Sequence, residues 1–281
     1  QSLVIHSLAC SLPGEYQFED YLDDDGYAHT DIPIRVKVSA RNEGVVVDFS
    51  GTAAQVEGNL NCPMPVTAAA VFYVFRCLMP AHTPACHGAL QGVTINAPAG
   101  CLVNARAPAA VVAGNVETSS RIVDTVCGAL AQALPDRFAA ASQGTMNNLA
   151  MGRRGRRGWD YYETLAGGMG AAYDCNGRSA RHSHMTNTLN TPIEVLETRY
   201  PFRIKRYQIR QDSGGSGDRK GGNGIIREYE FFSAAQFTLL TERRTRIFVM
   251  GFLLSALVFT FIYGTLEDPF QYTFSKIGNR F

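Results

Sequence analysis

The chain is poor in charge, and what it has is balanced. Its 26 Lys and Arg oppose 25 Asp and Glu for a formal +1, and charged residues make up only 18% of the whole. Such a balance excludes a general electrostatic pull on nucleic acid, while a hydrophobic share of 46% excludes a disordered chain. None of the seven cysteines forms a C-x-x-C pair, so a zinc or redox site of that spacing is absent. Their odd number fits reduced, mostly buried thiols in a reducing compartment. No repeat of fixed period appears. The chain opens on Gln1 without an initiator Met or a signal peptide, and is expected to be a piece of something longer. With 27 Gly and 12 Pro it does not read as a plain helical bundle.

What is present reads as a mixed α+β chain: a large mixed-sheet domain with buried helices. Tyr16 to Leu22 reads as a strand, and Asp23-Asp24-Asp25-Gly26 as the turn after it. Ile34 to Val38 alternates apolar and basic, as a half-buried strand does. Asn42-Glu43-Gly44 turns it back into Val45 to Phe49. Thr67 to Met79 is apolar on nearly every side and stops at Pro80, which predicts a buried helix. Thr118 to Leu134 is amphipathic, with Ile122, Val126, Leu130 and Leu134 on one face, a Thr118 or Ser119 cap and Pro135 as terminator. Arg203 to Arg210 and Ile225 to Phe232 read as strands around a Gly-rich connection, with Phe237 to Thr241 as a third.

The character changes at Thr245. Residues 247–264 run for eighteen positions without a charge, about 27 Å of helix, which is enough to cross a bilayer's hydrocarbon core. Arg243, Arg244 and Arg246 precede it and Glu267 and Asp268 follow, so the positive-inside rule puts the preceding domain in the cytoplasm. A C-terminal hydrophobic helix is therefore expected, in an unrelated tail over 245–281. A buried core helix is the alternative.

Several runs invite a chemical reading. The stretch 212–224 is Gly-rich but satisfies neither the phosphate-loop nor the dinucleotide spacing. A tight connection with positive-φ glycines is the simpler reading, with anion binding by its amides as the alternative. His182 and His184 would share one face of a strand, a spacing that suits a metal or an acid–base pair. Three runs, 114–119, 143–148 and 184–188, are dominated by amide and hydroxyl side chains, which position small polar molecules. Arg153, Arg154, Arg156 and Arg157 read as a solvated turn.

Those runs, taken in order, carry a resemblance. The segments 109–135 (AAVVAGNVETSSRIVDTVCGALAQALP), ASQGTMNNL, YYETLAGGMGA, HSHMTNTLNTPIEVLETRYP and IRQDSGGSGDRKGGNGIIREYEF closely resemble the hydantoinase B/oxoprolinase family, as do DYLDDDG and VDFSGTAAQVEGNLN. The resemblance covers 1–244 and implies the later part of that subunit or domain, with the upstream half missing. It implies an enzyme of the ATP-dependent cyclic-amide hydrolase type, acting on a 5-oxoproline- or hydantoin-like ring. The alternatives are a subunit of an acetone- or acetophenone-type carboxylase, or an inactive fragment or membrane-tethered binding module. ATP is expected on an A-type partner subunit, and a divalent metal in the missing upstream half, so no metal ligand is carried onto these positions. The expected partners are that A-type subunit and a small cyclic amide, with no nucleic acid and a membrane contact through 247–264. Within the matching motifs, side-chain chemistry assigns proton transfer to His184 and Glu163, and hydrogen bonds to substrate to Asn115, Thr145, Asn147 and Asn187.

Overall fold

A computed structural model describes residues 5, 9–10, 12, 14–41, 44–84 and 86–244. They fall into two compact units, Gln1–Ala139 and Ala140–Phe281.

In the first unit β1 (Glu15–Asp24), β2 (Thr30–Arg41), β3 (Gly44–Asp48) and β4 (Val93–Asn96) form one sheet in that order. The first two pairings are antiparallel and β3–β4 is parallel. Ile32, Ile34, Val36 and Val38 recur every second residue of β2 and are all buried, the alternation a one-sided sheet requires. The acidic turn after β1 is tied by its own carboxylates: Gly26 N–H donates to Asp24 Oδ1 (2.8 Å), and Tyr27 N–H to Asp25 Oδ1 (2.9 Å).

Helices α1 (Met64–Leu78) and α2 (Ser119–Ala131) pack together, and α2 also lies on β1 and β2. Ile122, Val126 and Leu130 are fully buried as the periodicity predicts, whereas Leu134 lies beyond the helix and is half-buried. No side chain caps α2. A single π-helical turn, Gly114–Thr118, leads into it, and Thr118 Oγ1 donates instead to the Leu60 carbonyl. Arg121 is wholly buried on α2, its Nη1 3.4 Å from both Asp20 Oδ2 and Asp124 Oδ2.

The second unit holds β5 (Asn148–Arg153), β6 (Trp159–Thr164), α3 (Ile193–Arg199), β7 (Phe202–Ile209), β8 (Ile225–Phe231) and β9 (Gln236–Leu240). β7 and β8 pair as an antiparallel hairpin around the Gly-rich stretch, as predicted. β9 does not extend that hairpin: it pairs with β5, giving a sheet of order β6-β5-β9. Leu149, Met151, Tyr161, Leu165, Leu196, Phe202, Ile204, Ile225 and Tyr229 form the core, with Trp159 and Tyr200 against it. The four arginines at 153, 154, 156 and 157 are exposed at the β5–β6 turn.

Two further expectations are corrected. His182 and His184 are not on a strand: the backbone there is irregular, and His184 sits in a turn with φ +53°. Of the thiols only those of Cys62 and Cys101 are buried, while Cys10, Cys77, Cys86 and Cys175 are exposed. The apolar stretch 247–264 and the tail expected over 245–281 lie outside the described residues. Among the described residues no helix is long and apolar enough to cross a membrane, so the C-terminal hydrophobic helix has no structural support.

Candidate active site

The polar centre of the second unit is built on two strands by the same departure from pattern. On β8, Ile225, Arg227 and Tyr229 alternate onto the buried face, so a guanidinium occupies a core position. On β6, Glu163 stands across the ladder from Leu149 and alternates with Tyr161, so a carboxylate occupies another. Two ions buried from opposite elements must meet, and they do. Arg227 Nη1 is 2.7 Å from Glu163 Oε2, with both side chains almost inaccessible. Isolated, either charge would carry a desolvation cost of several kcal/mol.

Glu163 Oε1 accepts a hydrogen bond from Asn190 Nδ2 at 3.0 Å, and Asn190 Oδ1 accepts one from Tyr207 OH at 3.0 Å. Asn190 also donates to the Thr164 carbonyl (3.2 Å), which clamps the loop before α3 onto the end of β6. The Arg227 guanidinium lies over the rings of Tyr207 and Tyr229, 4.8 and 5.4 Å from their centroids. Its Nε and Nη2 have no hydrogen-bond partner among the described residues.

This packing shifts the neighbouring groups. Burial pushes the Tyr161 hydroxyl up to about 12, opposed by a hydrogen bond with Thr191 and reinforced by the Glu163 charge. Burial also drives Tyr229 well above its ordinary value, against the pull of Arg227. Burial works against the Arg227 charge too, but Tyr229 and Glu163 outweigh it and the guanidinium is held above its ordinary value. Burial lowers the His182 imidazole, with Glu163 pulling the other way.

The residues assigned from sequence are distributed unevenly around this centre. Glu163 lies at its heart. Asn147 is buried with φ +53°, its carbonyl accepting from Leu165 N–H (3.0 Å) and its Oδ1 left without a partner. Thr145 Oγ1 accepts from the amides of Asn147 (3.3 Å) and Glu242 (3.0 Å). Asn187 is exposed, His184 is half-buried, and Asn115 belongs to the first unit, exposed on its π-helical turn. Arg227, Asn190, Tyr207 and Thr188 were not assigned from sequence. A charged residue in an apolar register position was the available signal for Arg227. Asn190 and Tyr207 carry no comparable mark.

Several amides of the Gly-rich connection are already engaged within the protein. Ser213 and Gly214 N–H both donate to Asn223 Oδ1 (3.1 and 2.8 Å), Gly221 N–H to the Gly215 carbonyl (2.8 Å), Gly222 N–H to the Met169 carbonyl (2.8 Å) and Gly224 N–H to Ser213 Oγ (3.0 Å). A Cβ on Gly214 would collide with the Gly221 carbonyl, so the glycines serve close backbone packing. Among the described residues no group of three or more His, Cys, Asp or Glu side chains is placed to hold a metal ion.

The family model for hydantoinase B/oxoprolinase matches residues 3–249. The chain is 42% identical over 226 residues to 5-oxoprolinase 1 of Arabidopsis thaliana, covering 80% of this chain and 17% of that protein. It is 32% identical over 237 residues to the B-type subunit of a putative D-/L-hydantoinase from a Pseudomonas species, covering 80% of this chain and 40% of that one. The chain thus spans under half the length of the curated relatives it matches. Among solved structures, an ATP-dependent caprolactamase from Pseudomonas jessenii aligns with TM-score 0.73 at 26% identity, over 83% of this chain and 42% of that one. An acetone carboxylase shares the fold with TM-score 0.73 at 18% identity, over 86% of this chain and 35% of that one.

Proposed function

Because the chain belongs to the hydantoinase B/oxoprolinase family, we propose that it is part of the hydrolytic B-type subunit or domain of an ATP-dependent amidohydrolase that opens a lactam or cyclic imide of the 5-oxoproline or hydantoin type. The observation that carries this reading is the Glu163–Arg227 centre, a buried ion pair bordered by the Asn190 amide and, through it, the Tyr207 hydroxyl. Such surroundings suit a neutral polar ring better than a phosphate.

An amide carbonyl is a poor electrophile, and ATP supplies the phosphoryl group that turns its oxygen into a leaving group. The Gly-rich connection lacks the phosphate-loop spacing, which supports a nucleotide held by an A-type partner. The residues of this chain then handle the ring and its protons. His184 and Glu163 are assigned to proton transfer, and Thr145, Asn147 and Asn187 to hydrogen bonds with the substrate. Thr145 Oγ1 accepts twice from backbone, which leaves its O–H free to donate. Arg227 and Asn190 hold the Glu163 carboxylate in one orientation.

The test is ATP turnover by the intact subunit assembled with its ATP-binding partner. Turnover driven by 5-oxoproline or a hydantoin is expected. Glu163→Gln and His184→Gln should each lower it by about 10²-fold or more, the usual share of a positioned proton-transfer group. Wild-type turnover in both variants overturns the roles. Turnover with a ketone and bicarbonate, and none with a cyclic amide, overturns the hydrolase reading in favour of a carboxylase.

A further inference from the structure

The half-buried His182 imidazole has two nitrogens to satisfy, and it satisfies one. Its Nε2 lies 3.2 Å from Thr188 Oγ1, which in turn lies 2.9 Å from Thr164 Oγ1 on β6. Its Nδ1 is shielded from water and has no partner among the described residues. Asn148 stands opposite Thr164 in the β5–β6 ladder, so its side chain shares that face of the sheet. It repeats the pattern: Tyr162 OH donates to Oδ1 at 2.6 Å, while Nδ2 is buried without a partner. Buried polar atoms left unpaired are uncommon. Here each belongs to a side chain whose other polar atom is fixed by a hydroxyl, an arrangement that aims the free atom.

We propose that His182 and Asn148 are substrate-contacting residues, with His182 Nδ1 accepting the ring N–H of a cyclic amide and Asn148 Nδ2 donating to its carbonyl oxygen. This rests on the cyclic-amide reading above and names the groups that recognise the ring. A small ring holds its amide cis, so N–H and C=O lie side by side on one edge. His182, linked through Thr188 to Thr164, supplies an acceptor, and Asn148, the ladder partner of Thr164, supplies a donor, the complement of that edge. For Nδ1 to accept, the proton must sit on Nε2, which donates to Thr188, whose hydroxyl donates to Thr164. Thr188 and Thr164 are therefore positioning residues. Burial lowers the imidazole's pKa, which favours the neutral form with a free lone pair, and Glu163 on β6 is the charged group that pulls the other way.

The experiment compares 5-oxoproline with its N-methyl analogue in the intact subunit assembled with its ATP-binding partner, reading kcat/KM for substrate-driven ATP turnover. The wild type should prefer the N–H form by at least about tenfold, since a buried acceptor left unpaired discriminates strongly. His182→Leu should bring that ratio close to one, and Asn148→Leu should raise KM for both compounds while the ratio persists. Thr188→Val should shrink the ratio and Thr188→Ser restore it. This pair keeps the imidazole and carries the test should His182→Leu fail to fold. A ratio unchanged in His182→Leu, or equal in the two Thr188 variants, overturns the assignment while the amidohydrolase reading stands. No turnover of either compound by the wild type overturns both.

Discussion

Replacing Glu163 by Gln removes one charge and almost no volume, which isolates the electrostatic part of the Glu163–Arg227 pair. The side chains of Arg227 and Glu163 are 0% and 5% exposed, so solvent cannot take over the lost partner. The new amide can still accept from Asn190, but it turns an N–H₂ toward a guanidinium that already has two unpartnered nitrogens. Breaking a buried pair from one side typically costs about 3–5 kcal/mol, because the surviving charge is uncompensated. Trp159, the chain's one tryptophan, reports on this unit directly, its ring lying 5.6 Å from Tyr200 and 5.8 Å from Phe202. With a urea slope of about 1–3 kcal/mol per molar, its fluorescence midpoint should fall by more than about 1 M. The double variant Glu163→Leu/Arg227→Met should recover most of that loss, since a well-packed apolar pair of similar volume is often neutral or better. A Glu163→Gln midpoint within experimental error of wild type would refute the reasoning, and so would a double variant no more stable than the single one.

Two perturbations of the first unit are equally direct. Leu130→Ala, at a fully buried position of α2, should cost about 2–5 kcal/mol, measured by far-ultraviolet circular dichroism in urea, and a loss under about 1 kcal/mol would contradict the packing described. Burial opposes ionisation of Asp25, but the Tyr27 amide, the His29 ring and the amides of His29 and Gly58 prevail and hold its carboxyl below the ordinary value of 3.8. A depressed carboxyl contributes stability above its unfolded pKa and loses it as pH falls through the folded one. Urea midpoints between pH 5 and pH 3 should therefore fall more steeply for the wild type than for Asp25→Asn, and parallel curves would count against this.

Strands β1 to β3 and the two helices of the first unit were legible from local pattern, whereas the short β4 was not. Val36 and Val38 announce a one-sided strand, and Ile122, Val126 and Leu130 a one-sided helix, without reference to any other segment. Local sheet partners, β2 with β3 and β7 with β8, were legible too, but distant ones were not. Phe237 looks like a continuation of the β7–β8 hairpin in sequence, and only tertiary pairing sends it to Met151 on β5. The candidate site divides along the same line. Glu163 was found by its residue type, but the Asn190 and Arg227 that fix it are 27 and 64 positions away. His182 and His184 could not be told apart on an assumed strand, where both would face one way. The irregular backbone gives them separate environments, and it was the hydroxyls of Thr188 and Thr164 that marked His182.

The order in which strands join the β6-β5-β9 sheet has a consequence for synthesis of the chain. β5 and β6 are joined by the short turn 154–158 and can zip together as soon as both are made. The other edge of β5 must wait for Gln236–Leu240, some eighty residues later along the chain, with the whole β7–β8 hairpin intervening. Until then Asn148 to Gly152 present an unpaired edge to whatever strand is nearest, a known route to misassembly. Closure across so long an intervening segment is also slow relative to local pairing. A nascent chain stopped short of Gln236 would keep that edge open permanently, so the last described strand acts as the lock on the sheet that carries Glu163.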